Sequence, residues 1–323
     1  MRNNGYGSIN RRGFLRGSAL TGGGLLVAST LGAGKAWAST PLRLGSFFVA
    51  IDYAPYLIAK ANGAYEEMGG ASGVEFTMFQ SLPPINESFG TGRIDAVFEA
   101  EPPALIGAAA GIDVKIVGIS CTLVQEILVP ATSSAQSAGD LRGAKIAVLA
   151  GTSSHYGVAK ILEAEGISVR DVEIIDMIPP DAKSAFQTGQ VDAWAVWPPF
   201  VEQEEIDGTG RVLPRGDAVI HSIMAVSGSL IQDSRETVQG LVDILNTTKA
   251  WMIANPEQAM EIVATELDID LAVVERAWPR HDWGATLNEA VIADIQAKAD
   301  FLYDGDYVGN KVNASEVVDT SFG

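Results

Sequence analysis

The sequence predicts an α/β protein built as two similar lobes. Three observations carry this. Short apolar runs alternate with helical patterns, the strand–helix cycle restarts midway in nearly the same wording, and everything after Asp233 is helical and acidic. Leu42–Phe47 reads as the first strand, and Ala54–Met68 as a helix with apolar residues at helical spacing. Val74–Phe79 is the second strand, and Ile85–Gly92 a short helix closing on its glycine before the strand Asp95–Phe98. Glu101-Pro102-Pro103 opens the helix Ala104–Gly111, proline standing in the first turn where its missing N–H costs nothing. Val114–Ile119 is the next strand.

The cycle restarts near Glu126–Val129. Lys145–Leu149 is a strand, Ser153–Glu165 a helix, Val172–Ile178 a strand, Asp181–Gly189 a helix capped by Asp181, and Ala193–Val196 a strand. The phrase Thr91-Gly92-Arg93-Ile94-Asp95-Ala96 returns as Thr188-Gly189-Gln190-Val191-Asp192-Ala193, which makes the echo explicit. Thr237–Asn255 then carries Leu241, Ile244, Leu245 and Trp251 at helical spacing, and Pro256–Glu266 and Val291–Tyr303 continue the mode. Two crossings between lobes are expected, with hinge strands near Glu126–Val129 and His221–Val226. The organisation is therefore a first lobe over residues 39–128, a second over 129–221, and a return to the first over 222–323.

Composition narrows the function. Of 323 residues, 47% are hydrophobic and 19% charged, enough to build a core and too apolar for disorder. Lys and Arg number 22 against 40 Asp and Glu, a net charge of −18 that repels a polyanion, so no nucleic-acid partner is expected. The single Cys121 excludes an intrachain disulfide framework and a cysteine-rich zinc site, and His155, His221 and His281 are dispersed. Neither a metal nor a cofactor is expected.

Residues 1–38 read as an address. Five of the 22 basic residues lie there with no acid, Asn10-Arg11-Arg12-Gly13-Phe14-Leu15-Arg16 resembles a twin-arginine export signal, and Ala36-Trp37-Ala38 forms an A-x-A cleavage site. The weakly apolar stretch Ala19–Leu31 is too short and too rich in Gly, Ser and Thr to span a ~30 Å hydrocarbon core. Residues 39–323 carry 17 basic against 40 acidic side chains, a net of −23, and are expected to work as a soluble protein in the periplasm.

Three motifs hold the candidate chemistry. Ala150-Gly151-Thr152-Ser153-Ser154-His155-Tyr156 turns from a strand into a helix. Its hydroxyls and free helix N–H groups converge on a point that either binds an anion or simply caps the helix. His155 fits a hydrogen-bonded or pocket histidine better than a catalytic base, since no nucleophile elbow accompanies it. Trp194 and Trp197 lie three apart at a strand's carboxyl end, where ligand sites of this architecture fall. Strand alternation points them to opposite faces, so at most one lines a pocket. In Phe98-Glu99-Ala100-Glu101-Pro102-Pro103, two acids at a strand end either meet a cationic group of a ligand or cap the following helix; Glu101 reads as the capping acid, and Glu99 stays open between the two. Cys121 reads as buried and inert.

Asp140-Leu141-Arg142-Gly143-Ala144-Lys145-Ile146-Ala147, then Gly151 to Tyr156, Pro180-Asp181-Ala182 through Ala185-Phe186, and Val191-Asp192-Ala193-Trp194 to Phe200 together resemble a known family. It is the solute-binding proteins of ABC importers in the sulfonate/nitrate/taurine group, and within it the aliphatic sulfonate-binding proteins. The resemblance implies a two-lobed type II periplasmic binding fold that closes on its ligand. It implies a small organic anion or zwitterion, a membrane permease with its ATPase as partners, and no catalysis; a monomer is the simplest expectation. The implied ligand-binding set is Phe48, Glu99, Gly151, Thr152, Ser153, His155, Asp192, Trp194 and Trp197. The anion is expected to meet Thr152 and Ser153, with the tryptophans shaping the wall. Phe98 and Glu99 stand where the family commonly has Thr-Gly, and Trp197-Pro198-Pro199-Phe200 where it has Trp-Asp-Pro-Phe. These departures favour a zwitterion whose ammonium faces Glu99, or a larger organic part beside Phe98. The alternatives are another anion or nitrogen compound (nitrate, a carboxylate, a thiamine precursor) or an enzyme on the same fold.

Overall fold

A computed structural model describes residues 41–47, 49–66, 68–69, 72–80, 82–214, 216 and 218–323. The export segment and Phe48 lie outside the described residues. In the first lobe β1 (Leu42–Phe47), α1 (Ala54–Ala61), β2 (Val74–Phe79), α2 (Leu82–Gly90), β3 (Ala96–Ala100), α3 (Glu101–Ala109) and β4 (Val114–Val124) follow in turn. The second lobe runs through β5 (Glu126–Pro130), β6 (Lys145–Val148), α4 (Ser153–Ala164), β7 (Glu173–Asp176), α5 (Pro179–Gln187), β8 (Ala193–Val196), α6 (Phe200–Ile206) and β9 (Gly210–Val212). The chain returns through β10 (Val219–Ser227), α7 (Gly228–Asp233), α8 (Arg235–Ala254), α9 (Pro256–Leu267), α10 (Leu271–Ala277), β11 (His281–Asp282), α11 (Glu289–Asp304) and α12 (Ala314–Val317).

Two sheets result, ordered β11-β4-β10-β3-β1-β2 and β7-β6-β8-β5-β9. β1 is parallel to β2 and β3, and β6 to β7 and β8, as strand–helix–strand units require; β10 and β5 run antiparallel to their neighbours. Leu44, Val97, Ile116 and Ile223 fill the first core, and Ile127, Ile146, Val158 and Leu162 the second. Each such side chain contributes about 1.5–3 kcal/mol on burial.

The two chain crossings between the lobes lie side by side. The chain leaves β4 and enters β5 across Gln125, whose amide donates to the Ala218 carbonyl (2.8 Å) on the returning segment. Gln125 also packs on Gly157 of α4 so tightly that a Cβ there would stand 2.3 Å from its Cγ.

Several element bounds differ from the sequence expectation for local reasons. α1 stops at Ala61 rather than Met68, because Asn62 caps it and Gly63 turns left-handed at φ +70°. α2 and α5 begin earlier than expected, since Pro83-Pro84 and Pro179-Pro180 are tolerated in a first turn; Asp181 is therefore inside α5, not its cap. β4 continues to Val124, with β10 paired along it.

The Asp-Ala echo has a structural meaning. Asp95 Oδ2 accepts the Arg43 amide (2.8 Å) at the amino end of β1, and Asp192 Oδ2 accepts the Lys145 amide (2.8 Å) at the amino end of β6. The backbones reciprocate, Asp95 N to Arg43 O and Asp192 N to Lys145 O. In each lobe one aspartate fixes the register of two parallel strands at the end away from the cleft.

Candidate functional site

The carboxyl ends of the strands in both lobes face one another. Phe47, Asp52, Tyr53, Ala100 and Pro103 of the first lobe, with Thr152, Ser153 and Trp197 of the second, enclose a cavity of about 10 Å³. The lobes are closed over it. Trp197 Nε1 donates to the Val49 carbonyl (3.0 Å), its ring lies 5.8 Å from that of Phe47, and Ile51 N reaches Pro198 O at 3.4 Å. On the same closure His155 meets Tyr307 edge-on at 5.0 Å, and Tyr156 meets Phe301 at 5.0 Å.

The second-lobe wall is the head of α4. Gly151 takes φ +75°, a value L side chains rarely adopt, and Thr152 becomes the N-cap. Thr152 Oγ1 donates to the Leu149 carbonyl (2.6 Å), so its hydroxyl proton is occupied within its own turn. The amides of His155 and Tyr156 go to Thr152 O, whereas those of Ser153 and Ser154 have no acceptor among the described residues. The Ser153 hydroxyl is likewise unused, and Ser154 Oγ is buried without a partner. The result is a cluster of unused donors at the positive end of a helix dipole, which attracts an anion.

The other sequence-predicted residues distribute differently. His155 is buried with Nδ1 accepting from Gly151 N (3.3 Å), and burial holds its ring pKa below the usual value, against the opposing pull of Asp176. It braces the turn and does not line the cavity. Trp194 packs between Phe186 and Phe200 in the interior of the second lobe. Asp192 is exposed at the amino end of β8, where its Oδ2 accepts the Lys145 amide, and it does not line the cavity. Glu99 is 0% exposed, one residue short of the cavity, with both oxygens unpartnered, and burial pushes its carboxyl well above the usual range. Glu101 is an ion-pair partner, joined to Lys298 Nζ at 2.5 Å. Sequence reading misses Asp52 and Tyr53, because nothing near them marks a cleft wall. Cys121 is buried and free.

Trp197 gives a direct test of closure. Trp197→Phe keeps the ring contact but removes the hydrogen bond to Val49, a loss of about 1 kcal/mol. The unliganded protein is expected to populate a more open form, read as a larger radius of gyration by small-angle scattering. An unchanged radius would count against the bond as a clasp.

Among the described residues no helix is long and apolar enough to cross a membrane, and no group of three His, Cys, Asp or Glu side chains is placed to hold a metal.

A fold of two α/β lobes closed over a cleft at their strand ends is that of a periplasmic binding protein. The family model of the NMT1-like family matches residues 35–267, and the chain belongs to that family. A Bacillus subtilis (strain 168) protein named for binding aliphatic sulfonates is 31% identical over 279 residues, 83% of each chain. The taurine-binding periplasmic protein of Escherichia coli (strain K12) is 26% identical over 154 residues, 48% of each chain. Among solved structures, the alkanesulfonate-binding protein SsuA from Xanthomonas axonopodis pv. citri, bound to MOPS, superposes with a TM-score of 0.77 at 27% identity, over 88% of this chain and 100% of that one. The desulfurization enzyme DSZB matches with a TM-score of 0.66 at 16% identity, over 87% of this chain and 97% of that one, a likeness of fold alone.

Proposed function

We propose that this protein is the periplasmic solute-binding protein of an ABC importer and that its ligand is a small organic sulfonate. The observation that carries the reading is the unused amide and hydroxyl of Ser153 on the wall of an inter-lobe cavity, with the unused Ser154 amide next to them in the same helix turn. A sulfonate presents three oxygens to such donors and gains from the helix dipole. The relatives named for aliphatic sulfonate and taurine binding support the choice of anion.

Residues 1–38 direct export and are removed. The body of β1–β4 with β10 onward, and the body of β5–β9, then close on the ligand. Ligand contact with both lobes stabilises the closed form, which is the form a permease and its ATPase recognise. The protein acts as a monomer and binds without turnover.

The test is thermal melting of residues 39–323 against taurine, alkyl and aryl sulfonates, nitrate, and matched amines and carboxylates. A ligand at ~100 times its Kd adds about 2.7 kcal/mol of stability, a shift of several degrees. Absence of a shift with every sulfonate would overturn the assignment. Within a positive result, Ser153→Ala is expected to cost about 1–2 kcal/mol of binding. Thr152→Ala should cost clearly less, because its hydroxyl proton already faces Leu149. Equal losses would contradict this division of roles.

A further inference from the structure

Among the described residues the cavity wall contains one charged side chain, and it is an acid. Asp52 lines the cavity at 4% exposure, and no Lys or Arg is among the residues that enclose it. The remaining first-lobe surface is aromatic or apolar: Phe47, Tyr53, Ala100 and Pro103.

Asp52 is held from behind by groups of its own lobe. Its Oδ1 lies 3.1 Å from His281 Nε2, and its Oδ2 accepts from the Ser222 hydroxyl at 3.2 Å. Its backbone carbonyl accepts from Ser120 Oγ at 2.6 Å and from Cys121 Sγ at 3.5 Å. His281 is fixed in turn, with Nδ1 donating to Ala277 O (2.9 Å) and its ring stacked at 4.6 Å on Trp283. Of the Asp52–His281 pair, Asp52 lines the cavity and His281 does not. Both carboxylate oxygens retain lone pairs for a further donor.

An anion seated on the head of α4 therefore shares with Asp52 a cavity that closure reduces to about the size of one water. The Asp52 oxygens are acceptors, so a plain anion finds no donor in them, whereas a ligand with a cationic nitrogen a short spacer away from its anion complements both walls. We infer that Asp52 is the specificity-determining residue of the cleft and accepts the protonated amine of a short zwitterion whose anionic end sits on Ser153 and Ser154. This rests on the anion site of the proposed function and moves the ammonium from Glu99, which lies outside the cavity, to Asp52.

The experiment is titration calorimetry on residues 39–323 with taurine, ethanesulfonate and β-alanine. Taurine and ethanesulfonate share the sulfonate and differ in the amine; taurine and β-alanine share the amine and differ in the anion. Taurine should bind about 100-fold more tightly than ethanesulfonate, and Asp52→Asn should weaken taurine about 30-fold while ethanesulfonate changes less than threefold. Equal binding of taurine and ethanesulfonate by the unaltered protein would overturn the inference and leave the sulfonate reading intact, with no need of the variant. Equal losses of both ligands in Asp52→Asn would also overturn it, assigning Asp52 a structural role. β-Alanine binding far above taurine would support the ammonium site and overturn the sulfonate.

Discussion

Lys298→Met is expected to lower stability by about 3–5 kcal/mol, the range for removing one partner of a buried ion pair. Lys298 and Glu101 are both 0% exposed, and Nζ lies 2.5 Å from Glu101 Oε1. Nζ also pairs with Asp294 and stands 5.4 Å from the centre of the Tyr156 ring on the second lobe. Glu101 additionally accepts the His221 amide at 3.1 Å. Without Lys298 the Glu101 carboxylate keeps one backbone donor and loses its buried cation. Adding Glu101→Gln removes the stranded charge while retaining an acceptor for His221, so the double variant should recover most of the loss. Denaturant unfolding of the two variants checks this. A loss below about 1 kcal/mol in Lys298→Met would mean that the site hydrates or collapses instead.

That pair also marks the limit of what the sequence discloses. The alternation of strands and helices, the cap at Thr152 and the glycine of its turn are legible, because each is set by neighbours within a few positions. Strand alternation similarly separates Trp197, at the cavity, from Trp194, in the core. Local patterns fail where one motif serves two purposes. Asp192 sits in a phrase that resembles a ligand-binding family, yet its repeat partner Asp95 holds the same backbone-amide position in the other lobe. The phrase recurs because two parallel strands in each lobe need the same register lock. Contacts made by distant residues leave no local trace. Asp52 and His281 are 229 positions apart, and neither has a neighbour that announces the other. The motif at the end of β3 points to Glu99, whereas the acid of the cleft wall stands on the short turn after β1.

Acid should stabilise the protein through Glu202, and Glu202→Gln should erase that effect. Glu202 lies in α6 at 0% exposure within a cluster that joins the second lobe to the C-terminal return. Arg280 reaches Glu126 at 2.7 Å, Glu202 at 2.9 Å and Glu205 at 2.6 Å, and Arg276 adds a contact to Glu205 at 3.0 Å. Three carboxylates share two guanidiniums, and Glu205 takes contacts from both. Burial pushes Glu202 up to about 7, Arg280 opposing and Glu126 assisting. The folded protein then holds a proton that the unfolded chain has released, at every pH between about 4.5 and 7. The stability this proton confers is complete below the unfolded value, falls as pH rises through the window, and is gone above about 7. With 1.36 kcal/mol per unit, the span amounts to about 3 kcal/mol. His155, its pKa lowered by burial, acts with the opposite sign, and Glu99, raised by burial, with the same sign. The parent profile is therefore a composite, and the difference between parent and variant isolates Glu202. Glu202→Gln keeps an acceptor for Arg280 without the charge. It should match the parent near pH 4 and exceed it by up to about 3 kcal/mol near pH 8, read by denaturant unfolding at each pH. A constant offset between the two across that range would show that Glu202 does not change protonation on folding, and that Arg280 fully compensates its charge.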